Sequence, residues 1–183
     1  MSDRRLAPAS PFPWIFPYVE DPHSATRYPS ESGRSVLRPF VEVSLPGMEQ
    51  KLAALVDSGS EHTLVARWVA QTVGLDPADA VHSVVLGISG DDIRVDLVPG
   101  RMRLHPPDSD IDTYVEWETE LGIVDRWRPT WSVLLGQIGF FDRFTVSMHR
   151  GALTCVVEGW GKFDERFGIR LAGPSPPNPR FRP

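Results

Sequence analysis

The chain has little of what stabilises secreted proteins or anchors membrane proteins. Its single cysteine, Cys155, cannot form an internal disulfide, which excludes a disulfide-stabilised scaffold. No apolar run approaches the roughly 20 residues that span a bilayer. Met1–Pro17 has prolines and polar residues where a signal peptide has an apolar segment. We therefore expect a soluble, cytoplasmic protein with no membrane partner.

Positive charge is scarce as well. Lys and Arg together number 19 against 24 Asp and Glu, for a net charge of −5. Proteins that bind a phosphate backbone need a positive surface field, so this balance argues against a nucleic-acid partner.

Cofactor motifs are also missing. Glu61-His62 lacks the second histidine four residues on that a zinc-binding helix needs, and Cys155 has no second cysteine for a metal site. Neither a phosphate-binding loop nor a dinucleotide-binding fingerprint occurs. We predict no metal and no cofactor.

Prolines concentrate at the two ends of the chain and suggest its organisation. Because proline fixes φ and removes a backbone donor, its density opposes regular structure there. We predict a Pro- and aromatic-rich N-terminal extension over 1–35, a domain over 36–160 and a Pro-rich C-terminal tail over 161–183. The extension carries Phe12, Trp14, Phe16 and Tyr18, so we expect it to pack in an extended form on the core or on a partner.

The central part of the sequence predicts a mainly β fold with two short helices. Alternating or continuous apolar runs, bounded by turn residues, predict the strands. The predicted strands are Arg38–Leu45, Leu52–Val56, Val81–Gly87, Asp91–Val98, Arg101–Leu104, Tyr114–Val124, Trp131–Leu135, Phe144–Met148 and Leu153–Glu158. Helical spacing predicts a helix over Thr63–Val73, ended by Gly74, and a shorter one over Phe140–Phe144.

One chemical signal stands at the end of the second predicted strand, where Ala54-Leu-Val-Asp57 runs into Ser58-Gly59-Ser60. A carboxylate at the edge of an apolar core is costly to ionise unless something compensates. Gly59 permits a tight turn, and the two serines can supply local hydrogen bonds. The alternative is a simple turn in which Asp57 caps the loop.

A second signal is Val133-Leu-Leu-Gly136, which leads into Ile138-Gly-Phe-Phe141. The Asp57 loop, the Leu86–Asp92 hairpin and this second signal occur in that order along the chain. Together they resemble the retropepsin-like aspartic proteases over roughly residues 36–158. The resemblance implies that family's closed barrel with two short helices and a flap hairpin. It also implies a catalytic carboxylate on Asp57, with no metal or other cofactor.

The same resemblance assigns the remaining site residues. It implies a supporting loop of Ser58, Gly59 and Ser60; a flap that binds substrate, formed by Leu86, Gly87, Ile88, Ser89 and Gly90; and pocket-lining residues Leu134, Leu135 and Gly136. For the hairpin the alternative is an ordinary β-turn, and for the two leucines it is core packing.

Two positions depart from the viral enzymes. Ser58 stands where threonine is commoner, which keeps the hydroxyl and loses a methyl. Gln137 stands where viral members have an arginine that pairs with an acid near the catalytic loop. Glu61 is the candidate acid here, so we expect that ion pair to be absent or replaced.

The mechanism requires a second chain. Pepsin-type hydrolysis uses two carboxylates that share one proton, and this chain has one motif of that kind. The leading function is therefore an aspartic endopeptidase with a homodimeric Asp57 pair that activates a water to cut a peptide or protein substrate. The alternative is an inactive peptide-binding or dimerisation module of the same fold. A weaker third is a serine hydrolase that uses Ser89.

Overall fold

The computed structural model describes residues 12–21, 36–88, 91–127, 129, 131–160 and 180–182. It is mainly β, as the sequence predicted. The strands are β1 (Trp14–Glu20), β2 (Leu37–Ser44), β3 (Leu52–Val56), β4 (Leu64–Ala66), β5 (His82–Ile88), β6 (Asp91–His105), β7 (Tyr114–Val124), β8 (Val133–Leu135), β9 (Phe144–His149), β10 (Thr154–Gly159) and β11 (Arg180–Arg182). One α-helix, α1, spans Arg67–Thr72, and a 3-10 turn spans Pro77–Asp79.

Six strands form a closed ring. They pair in the order β6, β7, β4, β8, β3 and β2, and β2 pairs again with β6. Two pairings in the ring are parallel, β3 with β8 and β4 with β7. Parallel pairing brings the ends of β3 and β8 to the same edge, so the loop after Val56 and the loop after Leu135 begin side by side.

The predicted Thr63–Val73 helix is wrong in its first half. Leu64–Ala66 is strand β4, which pairs with β7 on one side and β8 on the other. These pairings use the backbone groups of Val65 that a helix would need internally, so the helix begins only at Arg67. It ends as predicted, because Gly74 adopts a positive φ of 73° just beyond it.

Two other local predictions also differ from the structure. Phe140–Phe144 is not helical: hydrogen-bonded turns run through Arg143, and Phe144 begins β9. The expected break between Val98 and Arg101 is missing. Strand β6 runs straight through Pro99, because β7 pairs with it continuously from Asp96 to Leu104.

Part of the predicted N-terminal extension belongs to the sheet. Strand β1 pairs antiparallel with β10 and then with β2, and it buries Trp14 and Phe16 in the core. At the other end of the chain, β11 pairs antiparallel with the first residues of β7. The rest of the predicted tail, 161–179 and Pro183, lies outside the described residues.

The core also encloses the cysteine. Cys155 is fully buried between Phe16 of β1 and Met148 of β9, and burial raises the pKa of its thiol to about 12. A thiol that holds its proton so strongly is a poor nucleophile, so Cys155 serves as an apolar core residue. Within the described part of the chain, no helix is both long and apolar enough to cross a membrane.

Candidate active site

Asp57 stands at the point where β3 ends. Its N–H donates to the carbonyl of Leu135 at 3.0 Å, which extends the pairing with β8 by one residue. Its carboxylate Oδ1 accepts a hydrogen bond from the Gly59 N–H at 2.9 Å. That contact is the local turn expected of a simple loop cap, but it occupies only one oxygen. Among the described residues, no second hydrogen bond to this carboxylate is found.

The loop that carries Asp57 is fastened along its length to the loop after β8. The Gln137 N–H donates to the Ser60 carbonyl at 2.9 Å, and the Ile138 N–H donates to Glu61 at 2.7 Å. The Thr63 N–H returns a bond to Ile138 at 3.0 Å. These backbone bonds join the two loops beyond the ends of β3 and β8, and they include a short parallel bridge between His62 and Ile138.

Gly136 is required by the closeness of the two loops. A Cβ at this position would lie 2.3 Å from the carbonyl oxygen of His62 and 2.9 Å from that of Ser60. Real Cβ atoms do not approach backbone oxygens so closely. The predicted glycine therefore has a steric role at the crossing of the two loops.

Thr63 joins the loops at their far end, a role that the sequence did not indicate. Its buried hydroxyl donates to the Ile138 carbonyl at 3.0 Å and accepts from the Gly136 N–H at 3.2 Å. Sequence periodicity had placed Thr63 at the start of a helix. The available signal was a lone hydroxyl residue between a polar loop and an apolar strand.

Gln137 makes a neutral contact at the position where we expected the viral ion pair to be absent or replaced. Its side-chain Nε2 donates to the Ser58 carbonyl at 2.7 Å. Glu61 does not pair with residue 137; its carboxylate lies 3.9 Å from His62 Nε2, and 70% of its side chain is exposed. The loop is therefore held by an amide, and Glu61 faces solvent.

The predicted flap strand and one predicted pocket residue share a cluster. Strands β5 and β6 pair antiparallel and form the hairpin. The pairing runs from His82 opposite Leu97 to Ile88 opposite Asp91. Leu86 and Leu134 are half-buried and pack on the same group of apolar side chains, Leu64, Val95, Leu97 and Val124. A role in closing over substrate remains a prediction for this hairpin.

Other predicted site residues are placed less favourably or not described. Leu135 is fully buried in the core, which favours core packing, the alternative given for this residue. Ser58 and Gly59 are exposed beside Asp57, and the Ser60 hydroxyl donates to the His62 carbonyl at 2.9 Å. Ser89 and Gly90 lie outside the described residues, and only the backbone of Gly87 and Ile88 is described.

A serine–histidine pair occurs elsewhere, in the core. Ser44 Oγ lies 2.8 Å from His105 Nε2, and both residues are fully buried. His105 Nδ1 donates to the Thr113 carbonyl at 2.9 Å, so in the neutral imidazole Nε2 is the nitrogen that accepts from the Ser44 hydroxyl. No substrate reaches this pair, so its role is structural.

Because His105 is buried, we expect the free energy of unfolding to fall in mild acid. Burial lowers the pKa of His105 below its ordinary value of 6.5. The unfolded chain therefore binds a proton more readily, and the free energy of unfolding declines as pH drops below about 6.5. We expect urea unfolding at pH 7.5 and 5.0 to show a smaller pH-dependent loss in His105→Gln than in wild type. The exposed His149→Gln is the control and should keep the wild-type dependence; an equal loss in all three would contradict the assignment.

The described residues contain no group of three or more His, Cys, Asp or Glu side chains placed to hold a metal ion. A groove of about 730 Å³ is lined by Leu75, Arg101 and Ile138 among others, but Asp57 is not among its lining residues.

No protein-family model matches the chain, and no curated protein matches it in sequence. Solved structures do. A retropepsin-like aspartic protease from Rickettsia conorii matches at 13% identity and a TM-score of 0.45, over 80% of this chain and 91% of that one. The retroviral protease-like domain of Ddi1 from Leishmania major matches at 12% identity and a TM-score of 0.43, over 67% of this chain and 90% of that one. EIAV protease in complex with the inhibitor HBY-793 matches at 11% identity and a TM-score of 0.34, over 74% of this chain and 93% of that one. The names of these neighbours are those of retropepsin-like and retroviral proteases, the family that the motifs resemble.

Proposed function

We propose that this chain is an aspartic endopeptidase whose active site is completed by a second copy of itself. The observation that carries the proposal is the Asp57 loop. It holds a carboxylate at the end of a buried strand, binds one oxygen through the Gly59 N–H, and is fixed by backbone bonds to the loop after Gly136. A carboxylate held rigidly with an oxygen left over suits acid–base chemistry better than loop capping alone.

The second carboxylate has to come from outside the chain. Glu61 is the nearest acid along the loop, but it is mostly exposed and lies beside His62. The strand–Asp–Ser–Gly motif occurs once in the sequence. A two-fold axis beside the exposed Ser58 and Gly59 would bring the two Asp57 side chains together and complete the pair.

The chemistry follows from the pairing. Two carboxylates about 3 Å apart cannot both ionise cheaply, so they share one proton. The ionised member takes a proton from a water as the water oxygen attacks the peptide carbonyl carbon, and the protonated member gives its proton to the carbonyl oxygen. The tetrahedral intermediate then collapses: the carboxyl group that took the proton of the water gives it to the nitrogen as the C–N bond breaks, and the other carboxylate takes a hydroxyl proton of the intermediate, which restores the pair. The pair titrates as a unit.

The β5–β6 hairpin suggests how substrate is held. An extended peptide beside a hairpin can gain main-chain hydrogen bonds, and a closing hairpin excludes water. Leu86 and Leu134 are half-buried apolar side chains on that side of the ring. We therefore expect apolar side chains near the cleaved bond.

A non-catalytic peptide-binding or dimerisation module of the same fold is the second candidate. One observation favours it: the amide of Gln137 stands where viral enzymes have a charged arginine. A module that only binds peptides would tolerate this change, and the Gly59–Asp57 contact would then be a loop cap.

Incubation with a mixed peptide library at pH 4 to 7, analysed by mass spectrometry, separates the two candidates. We expect cleavage that a statine-type transition-state mimic blocks and that chelators and serine-directed reagents leave unchanged. Sedimentation in parallel should show a dimer, because the site is incomplete in one chain. Peptide binding without cleavage would establish the module instead, and a cleaving species of only 20.4 kDa would exclude the shared site.

A further inference from the structure

We propose that Gln137 is a positioning residue for the catalytic carboxylate: its neutral side chain fixes the peptide group that binds Asp57. The inference rests on the proposed function, and it concerns the position at which the sequence departs from viral enzymes. We expected the ion pair of the viral enzymes to be absent or replaced there. In its place the Gln137 side chain donates a hydrogen bond to the Ser58 carbonyl.

The contact is specific because it falls on one peptide unit. Gln137 Nε2 donates to the carbonyl oxygen of Ser58 at 2.7 Å. The N–H of that same planar peptide group belongs to Gly59, and it donates to Asp57 Oδ1 at 2.9 Å. Gln137 and Asp57 therefore bind the opposite ends of a single rigid group.

This arrangement constrains the orientation of the peptide plane. Ser58 and Gly59 are exposed, and glycine gives the chain wide freedom to rotate this plane. Rotation would carry the N–H away from Asp57. A bond to the carbonyl end opposes that rotation, and a carbonyl that accepts a hydrogen bond also makes its own N–H a better donor.

The main chain of Gln137 strengthens the same point. Its N–H donates to the Ser60 carbonyl at 2.9 Å, so Gln137 forms hydrogen bonds to the loop on both sides of Gly59. The side-chain amide carries no charge at any pH, so these hydrogen bonds do not depend on the protonation of Glu61 or of the Asp57 pair. An arginine here would add a positive charge beside the carboxylates.

Gln137→Glu provides the sharpest test because it changes donor capacity with little change in shape. An ionised glutamate cannot donate to the Ser58 carbonyl, whereas a protonated one can. We expect kcat/KM of Gln137→Glu to fall about tenfold at pH 7, the effect of one ordinary hydrogen bond. Activity relative to wild type should recover below about pH 4, where a glutamate protonates. Gln137→Ala should lose activity at every pH, and the exposed Gln50→Glu should match wild type throughout.

Amide hydrogen exchange gives a readout that does not depend on cleavage. At pH 7 the Gly59 amide should exchange about tenfold faster in Gln137→Glu than in wild type. Faster exchange with unchanged activity, or lost activity with unchanged exchange, would overturn the positioning role. If wild type cleaves no peptide, the proposed function fails, whereas exchange still decides whether Gln137 holds the Gly59 amide on Asp57.

Discussion

Asp57→Asn is expected to abolish peptide cleavage and leave the fold intact. An amide cannot take the proton of the attacking water, and general acid–base groups contribute about 10² to 10⁴ in rate, so we expect a loss of at least about 10³-fold. The fold should survive because the asparagine side-chain oxygen can still accept the Gly59 N–H, as Asp57 Oδ1 does at 2.9 Å. The measurement is cleavage of a peptide identified in the library, with circular dichroism on the same sample. Undiminished cleavage would exclude Asp57 as the catalytic acid.

Mixing the variant with wild type tests whether the site is shared. If each dimer needs two intact carboxylates, an equal mixture that has been unfolded and refolded together should keep about a quarter of the wild-type activity, because only that fraction of dimers pairs two wild-type chains. If each chain carried a complete site, about half would remain. Asp112 is an exposed aspartate outside the loops described above, so Asp112→Asn is the matched control. An equal mixture of Asp112→Asn and wild type should keep the full wild-type activity.

The elements that sequence predicts best are those with local signals. Leu52–Val56 and Tyr114–Val124 have the predicted bounds, because an apolar run closed by polar or turn residues marks both ends of a strand. The resemblance assigned Asp57 and Gly136 to one site. No local pattern shows that β3 and β8 run parallel, since that pairing depends on the whole ring of strands.

The predictions that were wrong show where non-local pairing outweighs local periodicity. Leu64, Trp68 and Val69 have helical spacing, yet Leu64 lies in a strand paired on both sides. Trp68, which this spacing would place on the apolar face of the helix, is 45% exposed. Pairing on both sides satisfies the backbone of a three-residue strand, and a helix propensity of a few tenths of a kcal/mol per residue does not compete with that.

The contacts that position Asp57 could not be predicted from residue types. The bond from Gln137 to Ser58 joins residues 79 apart, and the bond from Gly136 to Thr63 joins residues 73 apart. Glutamine and threonine are common in surface loops, so neither has a sequence signal that names its partner. The sequence marked Gln137 only as a departure from a related pattern, and the structure supplies its contact.

Gly136→Ala is expected to destabilise the fold strongly, because the added methyl has no space between the two loops. The new Cβ would lie 2.3 Å from the His62 carbonyl oxygen, and backbone on both loops would have to move to relieve the clash. That movement would break the bonds from Gln137 to Ser60 and from Ile138 to Glu61. Overpacking of a well-packed site typically costs about 1 to 3 kcal/mol. Because the clash here is with backbone on both loops, we expect the free energy of unfolding to fall by about 3 kcal/mol, at the upper end of that range.

Urea unfolding at a fixed protein concentration measures this loss, and Gly151→Ala is the matched control. Gly151 lies in the turn between β9 and β10, where an added Cβ would meet nothing within 4 Å. The same chemical change should there alter stability by no more than about 0.5 kcal/mol. Equal stability of the two variants would mean that the loops do not meet at Gly136, and the rigid support argued for Asp57 would be lost with that contact.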